Sequence, residues 1–497
     1  MFTALLLAGA MLAQSQTVKA APLPALKVSG ITLTNVQDQK VWLRGIDVCS
    51  MEWTAAGDHV LQSINVATNG WHANIIRLPL SQDRWFGKTD DSSGSQEDAY
   101  HTLVDQAVAE AALDRAYIIL DLHWSDMGVW GQNIGQHSLP DENSLAFWKA
   151  VAARYANRPN VVFDLYNEPI KAPWDVWRNG GTLTETFQGK DYTYTAVGLQ
   201  QLLDAIRAVG AKNVVLAGGL GYSSQLDMPD SDLLSDPHGN GVLYVNHFYP
   251  GWENEVSWEK RMVTASKRFP IIVSEFGADP KSLPNGNPAT RVGRVLNILQ
   301  KHDWNWCAWC MHTAASPCLI SDWNYTPTPY FGALVKRALA NESVPIAPRL
   351  TTAPDSIIYD DKFESGWQSW SSATIDPAAT ENVHTGTDAL KVTLTPTQQV
   401  QFGNVPADGL EFNQLSFWVN GGPTGGQRLY VQASIMDIGY PSVNLDPLSP
   451  NTWTHETISL QQLGVAGLED LKSFRIGTTD TSASTLYLDD VTLVGNH

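Results

Sequence analysis

The stretch Val161-Val162-Phe163-Asp164-Leu165-Tyr166-Asn167-Glu168-Pro169 is a short apolar run closed by a carboxylate and a proline. It is too short for a buried helix, and its β-branched and aromatic residues read as a buried strand that stops at Pro169. Pro270-Ile271-Ile272-Val273-Ser274-Glu275-Phe276-Gly277 repeats the form, again with a glutamate where the strand should end. Outward from these two, further candidate strands are Val41 to Ile46, Ala73 to Leu78, Ala116 to Leu122, Asn213 to Ala217, Val242 to His247 and Asn305 to Cys310. Between strands, apolar residues recur three or four apart, as in Ser144 to Asn157 and Tyr194 to Val209, which predicts helices. Alternating strand and helix imply a parallel α/β fold, and eight strands is the number that closes a (β/α)8 TIM barrel. An open doubly wound sheet would also alternate, but no glycine-rich dinucleotide loop follows the first strand.

The chain has 497 residues, more than one typical domain. Its 17% charged and 43% hydrophobic residues are those of a globular protein rather than a disordered or membrane-spanning one. A net charge of −19 repels phosphate backbones and anionic lipid, so neither nucleic acid nor membrane is an expected partner. Leu5 to Ala13 form an apolar stretch too short to cross a bilayer, followed by Val18-Lys19-Ala20, a small-x-small cleavage pattern. Residues 1–21 therefore read as a secretory leader, although no Lys or Arg precedes the apolar run, and the chain is expected to be extracellular or periplasmic. Four cysteines make no disulfide scaffold, and Cys307-x-x-Cys310 lacks the second pair of a zinc site. One expected arrangement joins Cys310 to Cys318 and leaves Cys49 and Cys307 as small buried residues.

After Leu339 the texture changes. Residues 22–340 hold the barrel pattern, and 341–356, with Pro345, Pro348 and Pro354 among threonines, read as a linker. Residues 357–497 carry short alternating runs, among them Ala389 to Leu394 and Arg428 to Ile435, punctuated by Gly, Pro and Asp. They predict a smaller antiparallel β-sandwich, jelly-roll-like, with no long helix.

In a closed barrel, polar residues at the carboxyl ends of successive strands converge on one mouth however far apart they lie in sequence. Six strands supply them: Arg77; His123 and Trp124; Asn167 and Glu168; His247 and Tyr249; Glu275; and Trp309. Two carboxyls placed this way can flank one glycosidic bond, one as proton donor and the other as nucleophile or base. Each motif alone is as well explained by a strand end entering a turn or by a structural ion pair. The ordered set Ile76-Arg77-Leu78-Pro79, Leu120-Asp121-Leu122-His123-Trp124, Tyr166-Asn167-Glu168-Pro169, His247-Phe248-Tyr249, Ser274-Glu275-Phe276-Gly277 and Trp309 resembles the signature of family 5 glycoside hydrolases, the cellulase family.

That resemblance implies a retaining enzyme in which Glu168 is the acid/base and Glu275 the nucleophile, their carboxyls about 5 Å apart. Arg77 and Tyr249 would hold Glu275 ionised and aimed. Asn167 would bond the sugar 2-hydroxyl, His123 and His247 would orient carboxyls and sugar, and Trp309 would offer a flat face to a pyranose ring. It further implies an endo-1,4-β-glucanase that hydrolyses cellulose-like chains by double displacement. Mannan, xylan and other β-glucans are alternative substrates, and a barrel that binds carbohydrate without cleaving it is an alternative of another class. No catalytic cofactor and no metal in the barrel are expected, since the His-x-His pattern of metal-dependent barrel hydrolases is absent, and a monomer is expected. Trp53, Trp85, Trp130 and Trp252 are each as well explained by packing as by further sugar subsites. The second block resembles the carbohydrate-binding modules appended to such enzymes, with Trp367, Trp370, Tyr430, Tyr440 and Trp453 as candidate stacking residues and Trp418 read as core. A structural calcium could gather Asp360, Asp361, Glu364 and Asp490, the alternative being a solvated acidic edge.

Overall fold

The computed structural model describes residues 22–88, 96–125, 135–187, 189–250, 255–281, 288–345, 352–364, 366–407, 409, 411–435, 438–468 and 471–496. The leader expected at 1–21, Trp130 and Trp252 lie outside them. Among the described residues no helix is long and apolar enough to cross a membrane.

The described residues open with a hairpin, β1 (Leu26–Ser29) and β2 (Thr32–Asn35), and then enter the first barrel strand, β3 (Arg44–Asp47). The next three barrel strands are β4 (Ile75–Ser81), β5 (Tyr117–Trp124) and β6 (Val161–Asp164). A second hairpin, β7 (Gly181–Phe187) with β8 (Lys190–Ala196), interrupts the alternation. The barrel resumes with β9 (Val215–Gly218), β10 (Val242–Phe248), β11 (Ile271–Phe276) and β12 (Asn305–Ala308). β3, β4, β5, β6, β9, β10, β11 and β12 pair in parallel and close on themselves through β12 and β3, and these are the eight strands expected from the sequence.

Every second residue along these strands faces the lumen. Ile75, Ile119, Val162, Leu216, Leu243, Ile272 and Cys307 fill its lower part as one apolar cluster. One step up the same strands, Asp47, Arg77, Asp121 and Asp164 are all buried. The lumen thus changes from apolar to ionic just beneath the mouth, which is where catalytic groups on this fold sit. Outside the strands a larger apolar cluster, with Trp148, Leu202, Trp258 and Leu296 from the helices, seals the barrel wall.

The helix expected over Ser144 to Asn157 runs over Glu142–Tyr155, capped by Asp141, whose side chain accepts from Ser144 N while Ser144 Oγ accepts from Asp141 N. The one expected over Tyr194 to Val209 is confined to Leu199–Ala208. Its first turn is taken by β8, because the Thr and Tyr alternation of Lys190–Ala196 pairs with Gly181–Phe187 across a turn whose Gly189 has φ 76°.

Among the described residues the C-terminal region is antiparallel, in two sheets of seven and five strands. Leu390, Val392, Phe402, Leu415, Phe417, Val431, Phe474 and Leu488 form the core between them. Trp418, expected in that core, is only half-buried and lies between the rings of His384 at 3.9 Å and His455 at 4.8 Å. Trp418 follows Phe417 on one strand, and the pleat turns adjacent residues to opposite faces. Trp367, expected to stack on sugar, is 4% exposed and packs on Phe474, whereas Trp370 is 40% exposed.

Candidate active site

Glu168 follows β6 and has φ 49°, a left-handed conformation that a side chain with a Cβ rarely adopts. The strain is held from outside. Gln136 Nε2 donates to Asn167 O at 2.9 Å, Asn167 N donates to Leu122 O at 2.9 Å, and Tyr222 N donates to Pro169 O at 3.2 Å. Glu275 is the fifth residue of β11, and a Cβ on Gly277 just beyond it would lie 2.9 Å from the Phe331 ring and 3.0 Å from Trp309 O, so only glycine lets these elements close up.

A carboxylate oxygen of Glu168, one of Glu275 and a ring nitrogen of His247 all lie within 4.8 Å of one another. His247 Nδ1 is 3.0 Å from Glu168 Oε1 and 3.6 Å from Glu275 Oε2. A lone pair facing two carboxylates would be repulsive, so Nδ1 carries a proton, and Nε2 is hydrogen-bonded with Ser274 Oγ at 3.0 Å. The Glu168 side chain is 20% exposed and that of Glu275 5%. The first can therefore exchange protons with solvent and the second is sequestered.

Arg77 lies within β4 rather than after it, and its side chain is fully buried. It reaches Glu275 Oε1 at 2.5 Å, Asp121 at 2.9 Å, Asp164 at 3.2 Å and Asp47 at 3.4 Å, and donates to Asn167 Oδ1 at 2.8 Å. Tyr249 Oη donates to Glu275 Oε2 at 2.7 Å. Burial opposes the charge on Glu275, but His247, Arg77 and His123, with the Tyr249 hydroxyl, outweigh it and bring its carboxyl down to about 2. The reverse holds deeper down. Burial, then the charge of Asp121, pushes Asp164 up to about 7, and burial raises Asp47 well above the carboxylate range despite Arg77. One guanidinium cannot neutralise four carboxylates, so protons are stored below the nucleophile and negative charge is kept on it.

His123 donates from Nδ1 to Asp121 Oδ2 at 2.7 Å, and Asn167 Nδ2 lies 3.3 Å from its Nε2. Burial alone would lower its pKa, but Asp121, then Glu52 and Glu275, push it up to about 9. Trp309 lies just past β12, which ends at Ala308, and its ring stacks on His123 with centroids 5.3 Å apart. Trp124 ends β5 half-buried and, among the described residues, has no hydrogen bond or ring contact with this cluster.

The structure thus brings together Arg77, His123, Asn167, Glu168, His247, Tyr249, Glu275 and Trp309. Sequence reading passed over Asp47, Asp164 and Asp121 as partners of Arg77; the available signal was a charge inside an otherwise apolar strand. The segment Ser316 to Trp323, read from sequence as a wall of the cleft without chemistry, ends in Trp323, which stacks on His59 at 4.3 Å and meets His312 edge-on at 5.1 Å, with Trp53 5.5 Å from His312. Trp85 is fully buried core and no subsite. The cysteine expectation is corrected: Cys310 Sγ faces Cys49 Sγ at 2.8 Å, not Cys318, because the β3 and β12 ends are neighbours across the closed barrel.

In the sandwich, oxygens of Asp360 and Asp490 approach that of Asp489, within 4.8 Å. Asp361 instead accepts from Thr387 N and Asp388 N, each at 2.8 Å, and Glu364 pairs with Lys362 at 3.3 Å. Burial, then the charges of Asp490, Asp361 and Glu364, raise the pKa of Asp360. Beside Asp360 the structure places Asp489 and Asp490, whose oxygens accept from His384 N, Thr385 N and Thr385 Oγ1, and not the expected Asp361 and Glu364.

The description "Cellulase (glycosyl hydrolase family 5)" matches residues 34–315, more than half of the chain. An endoglucanase of Microbulbifer is 22% identical over 290 residues, covering 57% of this chain and 50% of its own. Endoglucanase Z of Dickeya dadantii is 21% identical over 411 residues, 81% of each. The chain thus spans about half the length of the Microbulbifer relative. A β-glucanase structure from Saccharophagus degradans, 21% identical, superposes with a TM-score of 0.51 over 65% of this chain and 94% of its own, a likeness of fold. With its matched segment running through the whole mouth from β3 to the Trp309 turn, the chain belongs to glycosyl hydrolase family 5, the cellulase family.

Proposed function

We propose that the chain is a secreted retaining endo-β-glycosidase acting on β-1,4-glucan. The observation that supports this reading is the approach of Glu168 and Glu275 oxygens to within 4.8 Å, a separation suited to attack by one carboxylate and too narrow for a water between them. In the first step the Glu275 carboxylate bonds to the anomeric carbon while Glu168 gives its proton to the departing glycosidic oxygen. In the second, Glu168 takes a proton from water, which attacks the same carbon, releases Glu275 and restores the starting configuration. Asn167 Nδ2 is the donor left for a sugar hydroxyl, since its Oδ1 is held by Arg77. The positive surroundings of Glu275 keep it ionised before attack and ease its departure as a leaving group.

The scheme uses no metal: Arg77 and Tyr249 bind the Glu275 carboxylate, and His247 is hydrogen-bonded with Glu168 and Ser274. The division into a leader (1–21), barrel (22–340), linker (341–356) and sandwich (357–497) belongs to the same proposal. The last barrel helix, Gly332–Leu339, and the first sandwich strand, Ser356–Asp360, bracket the linker. β-Glucan is proposed because the relatives are named endoglucanases. The test is Glu275→Ala with azide on an aryl β-cellobioside. A glycosyl azide of inverted configuration supports the assignment, and a retained product would move the acid/base role to that position. A polysaccharide panel with product lengths resolved separates glucan from mannan and xylan, and endo from exo action.

A further inference from the structure

Four cysteines are present, and they fall into three different settings. Cys307 is buried among Ile272, Leu243 and Ile75 in the lower lumen, and Cys318 is half-exposed. Cys49 and Cys310 are buried at 1% and 0% with their sulfurs 2.8 Å apart. This approach is set by the barrel itself. The β3–β12 ladder ends with Ala308 opposite Ile46, and beyond it Met311 N still donates to Asp47 O at 2.8 Å, so the two chains leave the sheet side by side. Cys49 and Cys310 are the residues that meet there. Apart from each other, the one polar partner of these sulfurs among the described residues is Ala315 O, 3.4 Å from Cys310 Sγ.

We propose that Cys49 and Cys310 form a disulfide that clamps the first barrel strand to the eighth at the catalytic mouth. It would close a loop between residues 261 apart in sequence and tie down both neighbours of the bond. One is Trp309, whose ring lies on His123. The other is the Ser50 to Glu52 turn, where Ser50 N donates to Glu52 Oε2 at 2.7 Å. The oxidant is a small or protein-borne disulfide. The thiolate of one cysteine attacks it, forming a mixed disulfide and expelling one thiol. The second cysteine then attacks the mixed disulfide and expels the other thiol, so two protein thiols are oxidised and one external disulfide becomes two thiols. Burial pushes the Cys49 thiol up to about 12 in the folded chain, so the exchange belongs to folding, before the mouth closes.

The oxidant in nature depends on the export reading, so the test uses a borrowed leader. The full chain is directed to a bacterial periplasm, purified, and unfolded with N-ethylmaleimide in the absence of reductant. Two thiols, Cys307 and Cys318, should be labelled before reduction and four after it, and the peptide bearing Cys49 should be joined to that bearing Cys310 with the loss of two hydrogens. Four labelled thiols before reduction, or a bond linking Cys310 to Cys318, would overturn the proposal. In Cys49→Ser all three remaining thiols should label without reductant, and a disulfide persisting there counts against it; if that variant does not fold, the peptide map of the unaltered chain decides. Failure of the natural leader to export the chain would sink the export reading and leave this result standing.

Discussion

Replacing Arg77 by methionine removes a guanidinium shared by Asp47, Asp121, Asp164 and Glu275 while keeping an unbranched apolar stem in the lumen. Deleting one partner of a buried ion pair costs roughly 3–5 kcal/mol, because the other charge is left behind. Against a typical total of about 5–15 kcal/mol, that brings the barrel close to unfolding at neutral pH. The sign of the pH dependence follows from the carboxyls. Asp47 and Asp164 already lie above their unfolded values, and without Arg77 they and Glu275 rise further. The folded variant then holds protons that the unfolded chain releases above about pH 4, so stability drops as pH rises through that window. In the unaltered chain, Glu275 at about 2 contributes stability that is present above its unfolded value and lost only as pH falls towards 2. The deficit of Arg77→Met should therefore be the full roughly 3–5 kcal/mol near pH 8 and shrink to less than half of that near pH 5. Urea unfolding followed by tryptophan fluorescence at the two pH values measures it. Arg77→Lys, which restores a charge but not the fork, should recover only part. A deficit under about 1 kcal/mol at pH 8, or one equal at both pH values, would show that Arg77 acts by packing and that the charge argument is wrong.

Tyr249→Phe deletes one hydrogen bond to an ionised carboxylate, worth about 1.5–3 kcal/mol. The acidic limb of kcat/KM should move up by roughly 1–2 pH units from a starting point set by Glu275 at about 2, and an unmoved limb would disprove the coupling. Glu168→Ala should slow unactivated oligosaccharides by at least about 100-fold while sparing aryl glycosides with good leaving groups, and equal losses on both would contradict the acid role. Removing residues 352–497 should leave turnover of soluble oligosaccharides intact and reduce action on insoluble glucan, since barrel and sandwich have separate apolar cores; parallel losses on both substrates would refute a targeting role for the sandwich.

The barrel was legible because both of its periodicities are written locally. Runs such as Pro270 to Glu275 and the helical spacing of Ser144 to Asn157 need only neighbouring residues to be recognised, and eight such runs close a barrel. The β7–β8 hairpin was not, since Tyr194 and Ala196 run directly into the apolar residues of the Leu199–Ala208 helix and only pairing across Gly189 selects the strand. The two glutamates stood out because a carboxylate at the end of an apolar strand is costly unless used. Their chemical difference did not. Glu168 and Glu275 have the same side chain, and one is held near solvent in a left-handed backbone while the other is pinned by Arg77 and Tyr249 from β4 and the end of β10.

By itself, then, the order of residues determined the strands, the helices, the family likeness and which acids could meet. Tertiary closure decided the rest: three further aspartates around one arginine, Cys310 facing Cys49 rather than Cys318, and Asp489 in place of Asp361 and Glu364 beside Asp360. The reason is physical. Hydrophobic periodicity is carried along the chain, whereas charge, burial and hydrogen-bond partners act through space between residues that sequence separation does not relate.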